Sequence, residues 1–186
     1  MKKLIIILLL LPLFIKAQCP DKGDSKDLKD QAASILKNRE AKCDIPPAKY
    51  DAETFLAIAP DPHNNNPQWI ELETYIIGVK WAGLESSECH SKDTSNLDLH
   101  IETGPLPNSP KTEYIICEVT GKNRKANPHL NIKYIRALIG KKVSIIGWRF
   151  YDTEHENASE QIKSRPHNWR GTCLECHSIQ SITLIK

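Results

Sequence analysis

The sequence predicts a mainly β protein: a five-stranded, OB-fold-like Greek-key barrel with a helix between its third and fourth strands. Three observations carry that prediction. From residue 68 onward the chain shows three β-rich runs, then one helical stretch, then two more β-rich runs, all within about 120 residues. Second, the connections after the first and fourth runs, residues 82–96 and 152–171, are long and rich in His, Cys, Asp, Glu and Arg. OB-folds use those two connections as grips on a ligand. Third, residues 97–102 alternate strictly between apolar and polar, the pattern of a strand with one covered face. An open or swapped sheet with one helix is the competing arrangement.

Each element has its own signal. Lys2 and Lys3 precede an apolar stretch, residues 4–15, and Ala17 closes a short polar-to-small segment. That is the pattern of a cleavable signal peptide over residues 1–17, and it places the mature chain in the periplasm or outside the cell. The stretch is too short to cross a bilayer comfortably, so no membrane span is expected. A lipoprotein modified at Cys19 is the rival, against which Gln18 stands where a small residue is usual. Residues 18–67 read as a helix followed by an irregular connector. Asp24 or Ser25 is the expected cap, Leu28, Ala32, Ile35 and Leu36 form an apolar stripe to about Lys42, and Pro46 and Pro47 end it. A helical turn follows Asp51, and residues 60–67 are irregular, with three consecutive asparagines.

The OB-like domain occupies residues 68–186. Its strands are expected over residues 69–80, 97–102 and 113–120, rich in Ile, Tyr, Thr and Val, and over 142–151 and 172–185. Between them Asn127 and Pro128 look like an N-cap and first helical residue, with Leu130, Ile132, Tyr134, Ile135, Leu138 and Ile139 as the apolar face up to Gly140.

Charge narrows the function classes. The formal net charge is +2, and removing Lys2, Lys3 and Lys16 with the leader leaves 22 basic against 23 acidic residues. Bulk electrostatic attraction to nucleic acid is thereby excluded. The balance is uneven: 9 basic and 16 acidic residues lie in 18–110, against 13 and 7 in 111–186. Such asymmetry marks either a binding face or two complementary solvated surfaces. All six cysteines follow the leader, and an oxidising compartment favours disulfides. Cys19 and Cys43 bracket the first helix and are the expected pair, with the pairing among Cys89, Cys117, Cys173 and Cys176 left open.

Near the C-terminus Cys173, Leu174, Glu175, Cys176 and His177 spell C-x-x-C-H, the attachment pattern of c-type haem. The segment has the composition of a strand, and the only methionine is Met1. Haem-based electron transfer is therefore a minority reading. A thioredoxin-like role fails similarly, because no helix follows Cys173 to stabilise a thiolate.

A resemblance adds to this. The strings Leu36-Lys37-Asn38-Arg39, Glu85-Ser86-Ser87-Glu88-Cys89-His90, Asp98-Leu99-His100-Ile101, Glu118-Val119-Thr120, the run from Gly147 to His155, and Glu175-Cys176-His177 resemble motifs of a group of exported bacterial OB-like proteins. There the motifs read as ESCNCH, DxHI, EVT, GWxxYDxEH and WEIHPV. Ser87 replaces one cysteine of the first motif, and Cys173 and Cys176 depart from the last while Glu175 and His177 match. The resemblance implies the fold and an exported location, and it names no reaction.

Strand alternation puts Asp98, His100 and Glu102 on one side, Glu118 on the same kind of face of the third strand, and Glu175 and His177 together on the fifth. In an OB barrel those strands are neighbours, so these side chains are expected to converge. Imidazole with carboxylate suits a divalent metal such as zinc. Asp98, His100, Glu175 and His177 are the first candidate ligands, with His90, Cys89 and His155 from the grips completing them. In that arrangement Glu118 serves as general base, and Arg149 or Arg170 steadies an anion. The alternative is a satisfied hydrogen-bond network. Arg165, His167, Trp169 and His155, in the second grip, combine cations with an aromatic ring, as a base- or sugar-stacking site would. Two functions follow: binding of single-stranded nucleic acid or a comparable anionic polymer, and, as its rival, a metal-dependent phosphodiesterase or nuclease on the same face. Lys122, Arg124 and Lys125 form a basic turn, and Asn157-Ala158-Ser159 matches a glycosylation sequon.

Overall fold

The computed structural model describes residues 19–62 and 67–186; the expected leader and the asparagine run at 64–66 lie outside the described residues. Six strands form one sheet: β1 (Ala48–Asp51), β2 (Gln68–Trp81), β3 (Leu99–Gly104), β4 (Ile115–Val119), β5 (Lys142–Tyr151) and β6 (Leu174–Leu184). Their order is β1-β2-β3-β4-β6-β5, and β2 also pairs with β5, which closes the last five into a barrel. The long β2 makes closure geometrically feasible. Its first half pairs antiparallel with β5, from Gln68↔Arg149 to Tyr75↔Lys142, and its second half with β3, from Tyr75↔Gly104 to Trp81↔Leu99. The switch coincides with a register shift between Ile76 and Gly78, the kind of irregularity that lets one strand serve two neighbours. β4 and β6 run parallel, so the barrel is the OB-like Greek key that the element order predicts.

The barrel is filled from every strand. Ile70, Leu72 and Ile76 meet Leu99, Ile101, Ile115, Cys117, Val119, Val143, Ile145, Cys176 and Ile179 in one apolar cluster, all without solvent exposure. Their neighbours along each strand face outward, as the period of two requires.

The connection between β4 and β5 departs from expectation. In place of one helix from Asn127, there are two short ones, α3 (Gly121–Ala126) and α4 (Ile132–Arg136). Thr120 caps the first and Asn131 the second, each accepting from a backbone N–H three residues on, while Asn127 ends α3. Pro128 at a helix start and a residue ending the previous helix look alike in sequence. Leu130 and Ile135 still reach the core as the apolar stripe predicts.

The N-terminal part also shifts. Its helix α1 spans Leu28–Lys37, with Asp27 as the cap, accepting from the Lys29 N–H at 2.7 Å. A strand unforeseen in the sequence, β1, adds parallel to β2, and α2 (Ala52–Leu56) follows with Asp51 and Thr54 forming a capping box. Phe55 and Ala52 of α2 join the barrel core. The extension is stapled by a disulfide between Cys19 and Cys89, which replaces the expected Cys19–Cys43 pair and leaves Cys43 free. Spacing alone favours a local loop; the fold instead lays residue 19 against the first grip. Trp148 Nε1 donating to the Glu40 carbonyl at 2.9 Å, and Asn38 Nδ2 donating to that of Ser87 at 2.9 Å, hold α1 across the barrel's outer wall. Among the described residues no helix is long and apolar enough to cross a membrane.

Candidate functional site

The outward residues where β3, β4 and the start of β6 meet do not face water. α1 and both grips cover them, so Asp98, His100, Glu118, Glu175 and His177 are all buried. Register accounts for their meeting: His100 lies opposite Glu118 across β3–β4, and Glu118 opposite His177 across β4–β6. His177 is the hub. Its Nε2 stands 3.3 Å from Asp98 Oδ2, and its Nδ1 lies 3.3 Å from Glu118 Oε2 and 3.4 Å from Glu175 Oε2. His100 Nδ1 lies 3.0 Å from Glu118 Oε1. The Phe150 ring closes one side of His177 edge-on.

A second knot adjoins the first. Arg170, fully buried, holds Asp152 Oδ2 at 2.8 Å with one amino group and Glu175 Oε1 with the other. His155 Nδ1 shares the same Asp152 oxygen at 2.6 Å. From α1, Lys37 reaches Glu85 Oε2 at 2.8 Å and Glu154 Oε2 at 3.8 Å. Buried charge without compensation is costly, so the titration follows the pairing. Burial disfavours the His177 imidazolium, but Asp98, Glu175 and Glu118 outweigh it and raise its pKa to about 10. Burial likewise raises Glu118, and raises Glu88 to about 9 beside Asp98 and Glu85. For Asp152, burial is overcome by His155, Lys37 and Arg170, which hold its carboxyl well below the ordinary range. Cations from α1 and the second grip thus balance carboxylates from the barrel.

Above this layer, between the two grips, is a cavity of about 380 Å³. Ala82, Leu84 and Glu85 of the first grip, Glu154, His155 and Trp169 of the second, and Trp81, His100 and Glu118 of the barrel line it. The Trp169 ring is its apolar wall, with the His155 ring 5.2 Å away, His100 5.9 Å away, and the Arg170 guanidinium over it at 4.9 Å. A volume in the few-hundred range suits one compact unit rather than a length of polymer. A separate cavity of about 340 Å³ lies on the far side of Asp98, lined by Asp21, Glu88, Asn96, Lys122 and Lys125.

Among the described residues two groups bring three ligand-type atoms within 4.8 Å of one another: Asp98 with Glu118 and His177, and Asp152 with His155 and Glu175. The expected convergence is therefore realised for Asp98, His100, Glu118, Glu175 and His177, with His155 close by, whereas Glu102 lies outside the cluster with its Oε1 on Lys80 Nζ at 2.7 Å. Other expected residues fall elsewhere. Cys89 is committed to the disulfide and cannot ligate a metal. His90 is largely exposed, its Nε2 3.6 Å from Asp24. Arg149 sits on β5 opposite Gln68 and Cys176 and makes no ion pair with the cluster. Arg170 has both amino groups engaged inside the protein, so it braces the second grip rather than meeting a substrate anion. Arg165 and His167 are exposed outside the cavity, Arg165 donating to Asn157 Oδ1 at 3.2 Å. Glu118 has its Oε1 occupied by His100 Nδ1, so it is not free to act as a general base there, and His100 Nε2 is buried without a hydrogen-bond partner. Sequence reasoning missed Lys37, Glu85 and Asp152, whose roles depend on where α1 and the grips dock. The C-x-x-C-H string gives no haem site: Cys173 and Cys176 are sealed in the barrel core while His177 points outward.

The fold and site define an OB-type barrel whose outer wall at β3, β4 and β6 is roofed by an N-terminal helix, with a cavity between its two long connections. No family model, curated protein or solved structure matches the chain.

Proposed function

We propose that this chain is an exported OB-fold binding protein that takes one ring-bearing unit of a single-stranded nucleic acid, or of a comparable polymer, into the cavity between its grips. The observation that carries this reading is the Trp169 ring forming the apolar wall of that cavity. Aromatic faces bind bases and sugars by stacking without demanding a sequence. The rest of the lining is rich in carboxylates, Glu85, Glu118, Asp152, Glu154 and Glu175, which accept hydrogen bonds from amino and hydroxyl groups and repel phosphate. A nucleoside or sugar unit suits the interior, and the anionic backbone runs outside, past the exposed Lys80, whose ammonium lies 5.9 Å from the Trp169 ring. Arg165 and His167, exposed in the second grip, are further cations available to that backbone. The roof of α1 prevents a strand from lying along β3 and β4 as in an open OB groove.

The test is fluorescence anisotropy of a labelled ten-nucleotide single strand, with an unlabelled neutral oligosaccharide as competitor. Trp169→Ala is expected to weaken binding about 10- to 100-fold, from about 1–3 kcal/mol per stacked ring. With only two or three phosphates on the rim, the slope of log K against log salt is expected near −2. Absence of binding at low salt, or unchanged affinity in the Trp169 variant, overturns the reading.

A further inference from the structure

We infer that Asp98, Glu118 and His177 form a binding site for one first-row divalent cation, zinc by preference, beneath the cavity floor. The three residues come from the approach to β3, from β4 and from β6, and their side chains are at most 6% exposed. What singles them out is how their oxygens are used. Asp98 Oδ1 accepts from the Gly121 N–H at 3.1 Å, and Glu118 Oε1 is held by His100 Nδ1 at 3.0 Å. In each case the second oxygen, Oδ2 or Oε2, is turned toward His177. Glu175 repeats the pattern, with Oε1 on Arg170 and Oε2 facing His177. One oxygen anchored and one presented is the arrangement that orients carboxylates around a metal.

Distances point the same way. Charge-assisted N–H···O bonds close to about 2.7–2.9 Å, as His155 and Asp152 do at 2.6 Å in the neighbouring knot. The His177 contacts stop at 3.3–3.4 Å. Asp98 Oδ2 faces Nε2 and Glu118 Oε2 faces Nδ1, and one ligand atom from each of the three residues lies within 4.8 Å of the others, so an ion taking one ring nitrogen draws both carboxylates in. His177 Nε2 is also sealed from solvent and, though 3.3 Å from Asp98 Oδ2, completes no hydrogen bond, and His100 Nε2 and Glu88 Oε2 are buried without one too. Buried polar atoms left without partners in one patch call for a missing one. The second triple, Asp152, His155 and Glu175, is not a rival, since the Arg170 guanidinium already bridges its two carboxylates. One imidazole with carboxylates and no thiolate favours zinc, cobalt or manganese over calcium and magnesium, which prefer oxygen alone. Of the three ligands only Glu118 also lines the cavity, so the ion fixes the cavity floor through Glu118 and His100.

The experiment uses tag-free protein stripped with chelator and titrated with zinc chloride by calorimetry, with elemental analysis of the product. About one equivalent is expected to bind, and Asp98→Asn, Glu118→Gln and His177→Gln each to weaken uptake at least 100-fold, while His155→Gln leaves it intact. Cobalt substitution of the wild-type chain provides a readout that needs no variant: visible d–d bands without thiolate charge transfer. Failure of the stripped protein to take up zinc, uptake that survives His177→Gln, or thiolate bands that place the ion on cysteine would each overturn the inference. Trp169→Ala is expected to bind zinc normally, so loss of this site and loss of the ligand reading are distinguishable.

Discussion

Replacing Arg170 with methionine tests the second grip's foundation. The guanidinium has no exposed surface and bridges Asp152 and Glu175, whose side chains are 2% and 4% exposed. At the effective dielectric of about 20 that reproduces buried sites, each contact is worth about 4 kcal/mol of Coulomb attraction at 4 Å, so about 8 kcal/mol for two. Desolvation of the guanidinium takes back several of these. Methionine fills much of the same volume but leaves two carboxylates facing each other in a dry site. The net loss expected from breaking such a buried arrangement is about 3–5 kcal/mol, a large fraction of the 5–15 kcal/mol typical of a whole domain. For a chain of this size that lowers the melting temperature by about 6–20 °C. Urea titration followed by tryptophan fluorescence at pH 7 measures it, and Trp169, whose ring lies under the Arg170 guanidinium, is one of the four reporters. Adding Asp152→Asn and Glu175→Gln to Arg170→Met should recover part of the loss, because the stranded charges are then removed. A single variant that loses less than about 1 kcal/mol, or a triple variant no more stable than the single, would refute the assignment of Arg170 as a buried brace.

Other outcomes follow from the same geometry. The Cys19–Cys89 bridge closes a separation of 70 residues, so Cys19→Ser with Cys89→Ser should cost about 4 kcal/mol on the loop-entropy model, read by urea titration against the oxidised wild type. His155 is raised above its ordinary pKa by its bond to Asp152, with burial opposing. Its contribution is therefore complete below about pH 6.5 and is lost as pH rises through the folded-state value. The stability gap between wild type and His155→Gln should narrow between pH 5.5 and pH 9, and a gap that widens contradicts the pairing. At Gly147 an added Cβ would lie 2.8 Å from both Cys176 Sγ and the Ser178 carbonyl oxygen. Gly147→Ala should cost about 1–3 kcal/mol by overpacking where β5 meets β6, visible as a lowered urea midpoint.

How much of this was legible in the sequence depended on range. The run from Lys142 to Tyr151 reads as a strand, and is one with the same bounds, because it is long, β-branched and ended by polar turn residues. Alternation around Asp98 and His100, and the i, i+2 spacing of Glu175 and His177, named the cluster correctly, since a strand fixes which neighbours share a face. The helical connection was misread because Asn127 serves as a stop and Asn131 as the start, and one asparagine cannot be told from the other without hydrogen bonds. Cys89 and Lys37 were beyond local reading. Their partners, Cys19 and Glu85, are set by how a whole appendage docks on the barrel wall, a consequence of packing rather than of any short pattern.

That appendage bears on function. The barrel interior is already complete, with Ile70, Leu72, Leu99, Ile101, Ile115 and Val119 fully covered, so the fold does not need a second buried layer. Yet Lys37, Glu85, Asp98, Glu118, Asp152, Arg170, Glu175 and His177 are gathered under α1 and the two grips, where apolar side chains of similar size would be as stable or more so. A polar layer that stability does not demand, held in place by a disulfide and by a helix whose Lys37 points into it, is best explained by what it positions. The buried ring nitrogens it leaves without a hydrogen bond, His100 Nε2 and His177 Nε2, are the ones that chemistry or recognition would use. Substituting Lys37 with methionine separates these roles: it should loosen α1 and enlarge the cavity mouth without touching the Trp169 wall. A Lys37→Met chain that keeps its fold and its zinc but loses affinity for the ten-nucleotide probe would assign the roof to recognition, whereas unchanged affinity would assign it to shielding the charged layer alone.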